Sequence, residues 1–280
     1  EYQCASRAFF HEAAVVNTEH ECLIRWEEVH KSFGANHVLR GVTLQVCQGE
    51  TLVIIGRSGC GKSVLLKTLV GLISPDSGRI WVKNRQIVGD PSAMAEAQRL
   101  CGMVFQGAAL FDSLSVAENL ALPYWENTDL SKGEIEERIR SLLALVGLRD
   151  VEQLMPAELS GGMRKRVSLA RALADEPEIM LYDEPTTGLD PIMADAINEL
   201  IRSTQDKVKL TSIVVTHDLS TVRKVANHVA MLHEGRIVFH GTPDELFASA
   251  DPVVTQFIQG RADARAEVPR PELREHEIDE

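Results

Sequence analysis

Apolar and polar residues alternate along residues 22–55, a pattern that predicts several β-strands. The alternating runs are LIRWEEV, HVLRGVTLQV and ETLVII, and turn residues at 34–36 separate the first run from the second. The last run leads directly into a glycine-rich loop. A helix is predicted next, over residues 62–71, and a turn at residues 74–78 follows it.

The pattern changes to a helical period between about residues 106 and 160, most clearly in SKGEIEERIRSLLALVG. Ser131 and Glu134 form a predicted capping box at the start of this helix, and Gly147 is expected to end it. Its predicted apolar face consists of Ile135, Ile139, Leu142, Leu143 and Val146. We therefore predict a separate helical lobe at about residues 106–160.

Two apolar runs in the second half of the chain predict buried strands that end in polar residues. The run EIMLYDEP contains Asp183 and Glu184 at its end, and the later run TSIVVTH ends in His217. A helix is predicted before them at residues 160–174, and this alternation predicts a parallel sheet with ligands at the carboxyl ends of its strands. HVAMLHEGRIVFHG then predicts a hairpin, and TPDEL begins a helix capped by Thr242.

The composition is typical of a soluble globular protein, with 44% hydrophobic and 25% charged residues among 280. This length allows one large domain or a domain with an inserted lobe. The longest apolar runs, such as TLVII and IMLY, are far shorter than the roughly 18 residues that a membrane-spanning helix needs. Any role at a membrane is therefore expected to depend on a partner. The net charge of −12 argues against binding to nucleic acid, which needs a cationic surface.

The two ends of the chain differ from its middle. The first residues, EYQCASRAFFHEAAVV, lack the basic segment and long apolar stretch of a signal peptide, so none is expected, and the chain does not begin with Met. Residues 261–280 are charged and poor in apolar side chains, which favours a solvated tail over a packed element.

The segment GRSGCGKS at residues 56–63 fits the pattern G-x-x-x-x-G-K-[S/T] between a predicted strand and a predicted helix. In such a loop the backbone amides surround a diphosphate, Lys62 reaches the β and γ phosphates, and the Ser63 hydroxyl ligates Mg²⁺. A chance match is the alternative, but the strand and helix on either side argue against it. The segment therefore predicts a site for a nucleoside triphosphate.

Asp183 and Glu184 end an apolar strand, the place where a second acid is needed to hold Mg²⁺ or its water. We assign Asp183 to the metal and Glu184 to the attacking water, because a general base must face the γ phosphate from outside the metal shell. A solvated turn is the alternative interpretation of two adjacent acids. The four apolar residues before them and the phosphate loop argue against that alternative.

A second anion site is predicted in LSGGMRKR, residues 159–166. Two glycines after a serine open a predicted helix, so backbone N–H groups and the positive end of the helix dipole are left exposed. A negatively charged group is therefore expected at Ser160, Gly161 and Gly162.

Five cysteines are present, an odd number with no C-x-x-C pair: Cys4, Cys22, Cys47, Cys60 and Cys101. They indicate neither a disulfide framework nor a zinc site, and they fit a reducing cytosol. Cys60 lies beside a predicted helix N-terminus, where the pKa of a thiol can fall. We hypothesise that alkylation of Cys60 blocks nucleotide binding; a buried, inert thiol is the alternative.

The order of these motifs resembles that of the ATP-binding cassette (ABC) ATPases of transporters. After GRSGCGKS come Gln106 in VFQ, LSGGM, IMLYDE, GLD at residues 188–190 and His217 in VVTHD. The resemblance covers about residues 23–260. It implies an α/β fold of the P-loop NTPase type, with a parallel core sheet, an antiparallel β subdomain and an inserted helical subdomain. The implied divisions are an N-terminal extension at 1–21, the ATPase domain at 22–260 with its helical subdomain at about 106–160, and a charged C-terminal tail at 261–280.

The resemblance also implies ATP and Mg²⁺ as cofactors and a twofold dimer of two copies of the chain. In that dimer, Ser160, Gly161 and Gly162 of one copy bind the γ phosphate held by the loop of the other copy. His217 is implied as the γ-phosphate switch and Asp190 as part of the loop that communicates across the dimer. The nucleotide contacts implied in the phosphate loop are Gly56, Arg57, Ser58, Gly59, Cys60, Gly61, Lys62, Ser63 and Val64.

Two further roles follow from the same resemblance. Gln106 matches the residue that senses Mg²⁺ and the attacking water at the joint to the helical lobe, so it is implied as a catalytic residue and a metal ligand. Phe33 matches the aromatic residue that stacks on adenine, and a phenylalanine packed in the core is the alternative.

Several details are similar to the ATPases of the Mla and Mce lipid transport systems. They are Met163 at the end of LSGGM, Val64 in GKSV, and the segments at residues 107–123 and 253–260. This resemblance implies transport of a phospholipid or sterol-like lipid. The implied partners are an integral membrane permease, a protein with the Mce fold and a small STAS-type subunit, at the cytoplasmic face of the inner membrane.

Three alternatives stay open at this point. The chain could serve an ABC importer or exporter of another substrate. It could be a soluble cassette ATPase acting on DNA or the ribosome, but such relatives carry zinc pairs, long coiled coils or two cassettes, and this sequence shows none of them. A regulatory module without turnover is disfavoured because Lys62, Asp183, Glu184 and His217 are all present.

Overall fold

A computed structural model of the chain describes residues 22–261. The predicted N-terminal extension, Cys4 and all but the first residue of the predicted tail lie outside the described residues. The strands are β1 (Cys22–Phe33), β2 (Asn36–Cys47), β3 (Thr51–Ile55), β4 (Ser77–Val82), β5 (Arg85–Gln86), β6 (Cys101–Val104), β7 (Ile179–Asp183), β8 (Thr211–Thr216), β9 (His228–His233) and β10 (Arg236–Gly241). The helices are α1 (Lys62–Leu69), α2 (Pro91–Leu100), α3 (Val116–Asn127), α4 (Lys132–Leu145), α5 (Gly161–Leu173), α6 (Pro191–Val208), α7 (Leu219–Val225), α8 (Pro243–Phe247) and α9 (Pro252–Ile258).

The central sheet has the order β10-β9-β3-β8-β7-β6. Neighbouring strands from β9 to β6 are parallel, and β10 pairs antiparallel with β9 at the edge. The predicted parallel sheet and the predicted hairpin are thus confirmed. Because β3, β7 and β8 are parallel neighbours, the residues that follow each of them emerge at the same edge of the sheet.

A second, antiparallel sheet has the order β2-β1-β4-β5. Its long hairpin of β1 and β2 confirms the strands predicted from alternation, with a turn at residues 34 and 35. The predicted turn at 74–78 was wrong at its end, because Ser77 and Gly78 begin β4. Gly78 has a φ of +96°, and a Cβ there would lie 2.7 Å from Cα of Val29, so the close approach of β1 explains this glycine.

The predicted helices are present with shifted ends. The capping box of α4 is confirmed, since Glu134 Oε2 accepts from the Ser131 amide at 2.8 Å. Its apolar face is buried except for Leu142, which is half-buried. The stretch 105–115 forms turns instead of helix, so helix α3 begins later than the predicted lobe. Helix α8 has the predicted capping box at Thr242.

Two apolar cores lie on opposite faces of the central sheet. Val53 and Ile55 of β3 belong to a core shared with the helices after β6, whereas Leu52 and Ile54 belong to a core shared with the antiparallel sheet. Successive residues of a strand point to opposite faces, so β3 is buried on both sides and fixes the loop that follows it. Within residues 22–261, every helix is too short or too polar to cross a membrane.

Candidate functional site

The phosphate loop connects the buried end of β3 to the first turn of α1. Gly61 has a φ of +107°, and a Cβ there would lie 3.0 Å from the Val38 carbonyl oxygen. At Gly56 a Cβ would collide with the Leu232 carbonyl oxygen. A left-handed backbone and such close packing both require glycine. The turn therefore depends on these two residues, and it leaves the amide end of α1 facing the loop.

Lys62 lies inside this loop with 5% of its surface exposed. Its Nζ donates to the carbonyl oxygens of Gly56 at 2.8 Å and Arg57 at 3.2 Å, and it lies 3.5 Å from Glu184 Oε1. The lysine thus brings a positive charge to the centre of the loop, beside the acids at the end of β7. This arrangement suits the binding of a phosphate chain.

Ser63 and Asp183 are predicted metal ligands from different elements, and the structure brings them together. Ser63 Oγ donates to Asp183 Oδ1 at 2.6 Å. A hydroxyl and a carboxylate are oxygen donors of the kind that Mg²⁺ prefers when substrate phosphates and water complete its shell. The described residues contain no group of three His, Cys, Asp or Glu side chains that could hold a metal. Ser63 and Asp183 therefore fit Mg²⁺ that is bound together with a nucleotide.

Glu184 is held in an unusual backbone conformation directly after β7. Its φ is +49°, its amide donates to the Val215 carbonyl at 2.9 Å, and 8% of its surface is exposed. Non-glycine residues in the left-handed region are strained, and such strain is found where function requires a fixed side chain. The backbone turn directs the Glu184 carboxylate toward the phosphate loop, where its Oε1 meets Lys62.

Two side chains hold the other oxygen of Glu184. Oε2 lies 2.8 Å from His217 Nδ1 and accepts from Thr187 Oγ1 at 3.0 Å. An ionised carboxylate only accepts hydrogen bonds, so His217 donates through Nδ1. The sequence predicted a role for His217 but did not indicate Thr187, whose only signal is its position three residues after Glu184. A carboxylate with one oxygen fixed by two donors is well placed to act as a base.

Gln106 lies at the same edge of the sheet. It follows the end of β6 by two residues, and Val104 of β6 is paired with Tyr182, which precedes Asp183. The Gln106 side chain is exposed, while its carbonyl oxygen accepts from the buried Lys165. Sequence analysis did not indicate Lys165. The buried charge of Lys165 indicates a role only when the fold places it beside Gln106.

Ser160 begins α5 as its N-cap, with Oγ accepting from the Met163 amide at 3.2 Å. Apart from adjacent residues and the backbone of α5, a Cβ added at Gly161 would lie 3.6 Å from the Leu189 side chain. The carbonyl oxygen of Ser160 also bonds within the helix, accepting from the Arg164 amide at 2.9 Å. Packing also requires a glycine at position 162, since a Cβ there would collide with the Met193 side chain. The sequence did not indicate a role for Met193.

Asp190 is the N-cap of α6. Its Oδ1 accepts from the amides of Ile192 and Met193, both at 3.0 Å. The structure thus gives this residue a local role in starting the helix, which adds to its predicted role in the dimer.

Phe33 ends β1 with 50% of its surface exposed, and Lys31 Nζ lies 5.3 Å from its ring centre. The alternative of a phenylalanine packed in the core is therefore wrong. An exposed ring remains available to stack on a base, and its predicted role in adenine binding stays a prediction.

Replacing Phe33 with Ala should weaken ATP binding about 10-fold, within the range of 1–3 kcal/mol for a base stacked on an aromatic side chain. The melting temperature should change little, because the ring is not part of a core. Titration with a fluorescent ATP analogue measures the affinity, and Phe33→Tyr serves as the matched control that keeps the ring. Equal affinities of all three proteins would exclude the stacking role.

The environment of Cys60 does not favour a reactive thiol. Burial raises the pKa of the Cys60 thiol, and the attraction of Lys62 does not overcome this effect. The helix N-terminus and Lys62 therefore do not lower this pKa, because desolvation of the thiol outweighs them. The hypothesis that alkylation of Cys60 blocks nucleotide binding stays a prediction. Sγ packs beside Gly56, where a Cβ would lie 2.7 Å from it.

At pH 8, iodoacetamide should therefore modify Cys60 more slowly than it modifies free cysteine in the same tube. A raised pKa leaves a smaller fraction of reactive thiolate at that pH. The rate can be followed by mass spectrometry of the peptide that contains Cys60. A rate equal to or above that of free cysteine would contradict this account.

Together these elements define a nucleoside triphosphatase of the P-loop class. A glycine loop with a buried lysine faces a serine and aspartate pair and a positioned glutamate, all at the carboxyl edge of one parallel sheet. A family profile described as ABC transporter matches residues 39–187. The chain belongs to this family, and it is an ATP-binding subunit that hydrolyses ATP.

Three relatives show the range of proteins to which the chain is similar. It is 42% identical to Protein TRIGALACTOSYLDIACYLGLYCEROL 3, chloroplastic, of Arabidopsis thaliana, over 89% of this chain and 76% of the relative. It is 40% identical to the probable ribonucleotide transport ATP-binding protein mkl of Mycobacterium tuberculosis, over 82% of this chain and 65% of that protein. It is also 40% identical to the methionine import ATP-binding protein MetN of Brucella abortus, over 84% and 63%. The chain thus spans slightly less than two thirds of the last two relatives.

A solved structure has the same fold. The dimeric, post-hydrolysis state of the ATP-binding cassette MJ0796, bound to ADP and Pi, superposes with a TM-score of 0.73 at 30% identity. The match covers 79% of this chain and 99% of that chain. This similarity confirms the predicted ABC ATPase fold.

Proposed function

We propose that two copies of this chain bind two ATP molecules between them and that hydrolysis drives lipid transport by a membrane permease. The observation that carries this proposal is the division of the site residues. Lys62, Asp183 and Glu184 gather at one sheet edge with Ser63, whereas Ser160, Gly161 and Gly162 begin α5, where Ser160 bonds within its own helix. We infer that the two groups form one site between two copies of the chain, which the dimeric state of MJ0796 supports.

Each residue of the gathered half has a distinct task in hydrolysis. Lys62 and the loop amides bind the β and γ phosphates, and Ser63 with Asp183 would hold Mg²⁺, which when bound neutralises charge on the phosphates. Glu184 orients the attacking water and takes its proton at the carboxylate. His217 and Thr187 keep that carboxylate in place through the hydrogen bonds at Oε2.

The substrate class is inferred from the relatives and from sequence details. The Arabidopsis relative, whose name is that of a galactolipid, matches over 89% of this chain. Met163 and the GKSV ending of the phosphate loop support the Mla and Mce lipid systems. The partners we propose are an integral membrane permease, a protein with the Mce fold and a STAS-type subunit. The chain would bind the cytoplasmic side of the permease at the inner membrane.

The same cassette could serve another substrate, and the mycobacterial and Brucella relatives favour this second candidate. Their names specify ribonucleotide transport and methionine import at 40% identity. An ATPase subunit of this kind acts on ATP and on its permease, so its own site residues do not select the cargo. The permease that binds the chain therefore decides between the two candidates.

Affinity purification of the tagged chain from native membranes in mild detergent tests this proposal. Mass spectrometry of proteins and lipids is expected to recover a permease, a protein with the Mce fold and bound phospholipid or sterol. An untagged strain is the control for carry-over. Recovery of a different permease would overturn the lipid proposal and leave the ATPase unchanged. Recovery of no membrane protein would overturn the role in transport.

A further inference from the structure

The basic residues of α5 each bind a backbone carbonyl outside the helix. Arg164 Nη1 donates to Leu159 at 2.7 Å, and Arg166 Nη1 donates to Val146 at 2.7 Å, just past the end of α4. Lys165 Nζ donates to Gln106, and Arg171 Nη1 donates to Ala109 at 2.8 Å. Two of these four cations therefore bind the short loop that follows β6.

That loop has a strained backbone. Ala108 has a φ of +64° and Ala109 a φ of +51°. Two successive alanines in the left-handed region persist only where surrounding contacts hold them, because the conformation is unfavourable for residues with a Cβ. The carbonyls bound by Lys165 and Arg171 lie at the two ends of this strained stretch. These two cations hold it together with the hydrogen bond from the Ala108 amide to the Phe105 carbonyl at 3.0 Å.

Lys165 is buried, and its contact with the Gln106 carbonyl is partly buried. The residue is 8% exposed, and it lines a small apolar cavity with Val104, Leu169 and Tyr182. Burial lowers the pKa of Lys165, while the nearby carboxylates of Asp183 and Glu184 oppose that shift. Removing one partner of such a contact leaves a buried polar group unsatisfied, which is strongly unfavourable. Lys165 should therefore keep the Gln106 carbonyl in a fixed position relative to α5.

We propose that Lys165 and Arg171 are positioning residues that link Gln106 to the helix that begins with Ser160, Gly161 and Gly162. When those residues bind the nucleotide of the partner copy, α5 and the Gln106 loop move together as one unit. This inference rests on the proposed dimer. It adds a contact within one chain, between Lys165 and the Gln106 carbonyl, that positions Gln106 at the ATP site. Arg171 holds the far end of the same loop, so the unit has two anchors.

The test uses the full chain with Lys165→Met, Lys165→Arg and Arg171→Met. Hydrogen exchange of a peptide covering residues 105–111 should increase about tenfold in both methionine variants, and kcat should fall by a similar factor with little change in KM. Lys165→Arg should keep most of the wild-type kcat and most of the protection from exchange, because arginine keeps a buried donor. If Lys165→Met does not fold, Lys165→Gln and Arg171→Met provide the same readouts.

Two controls separate positioning from general stability. Arg166→Met removes a similar contact from α5 to Val146, so it should lower the melting temperature without raising exchange at residues 105–111. In a Gln106→Ala background, Lys165→Met should have no further effect on kcat, since its effect is exerted through Gln106.

Unchanged exchange at residues 105–111 in both methionine variants would overturn the inference, as would additive losses in the double variant. Wild-type turnover in Gln106→Ala would instead contradict the catalytic role proposed for Gln106. The exchange result does not depend on turnover, so the two failures are distinguishable.

Discussion

Replacing Glu184 with Gln should lower the rate of ATP hydrolysis by about 10²- to 10⁴-fold while ATP binding persists, the scale expected when a general base is lost. The amide cannot take a proton from water, yet it has nearly the shape of the carboxylate that meets Lys62, Thr187 and His217. Phosphate release measures turnover, and a fluorescent ATP analogue measures binding.

Glu178→Gln is the matched control for that experiment. Glu178 is an exposed residue just before β7, where it pairs with Lys83 at 2.6 Å. The same chemical change at the other end of the strand should leave turnover within a factor of about two, because exposed ion pairs contribute little. Wild-type turnover in Glu184→Gln would show that another residue activates the water.

Replacing Lys62 with Met should weaken ATP binding by about 10- to 100-fold, since charge-assisted hydrogen bonds contribute about 1.5–3 kcal/mol. Hydrolysis should fall further, because the lysine also stabilises the charge that develops on the phosphates. Thermal denaturation checks that the folded state persists, since methionine keeps a similar volume at this buried position. Equilibrium titration and phosphate release give the two effects separately.

Lys132→Met is the control for the loss of one positive charge. Lys132 lies at the start of α4 with its side chain 93% exposed, so its loss should alter neither binding nor turnover. If Lys62→Met bound ATP as tightly as the wild type, the phosphate loop would not be the nucleotide site.

The sequence was sufficient where the relevant residues are neighbours along the chain. The loop from Gly56 to Ser63 follows a strand and begins a helix, so its type and position could be read directly. The capping box of α4 and the two adjacent acids at the end of β7 are equally local. Because parallel strands end at the same edge of a sheet, the approach of Ser63 to Asp183 could also be anticipated.

The sequence was insufficient where segments far apart in the chain determine the environment. Lys165 binds the carbonyl of Gln106, 59 residues earlier, and no periodic pattern records such a contact. The pKa of Cys60 depends on burial that only the packed loop reveals. Residues 74–78 contain the usual turn residues, but pairing with β1 makes Ser77 and Gly78 part of a strand.

The central claim is that ATP joins two copies of this chain through Ser160, Gly161 and Gly162. The most direct measurement is the mass in solution of the Glu184→Gln chain, determined by light scattering with and without ATP. The account predicts one chain without ATP, two chains with saturating ATP, and one chain in both conditions when Ser160→Arg is added. A single chain at saturating ATP, or a dimer that Ser160→Arg leaves unchanged, would contradict it.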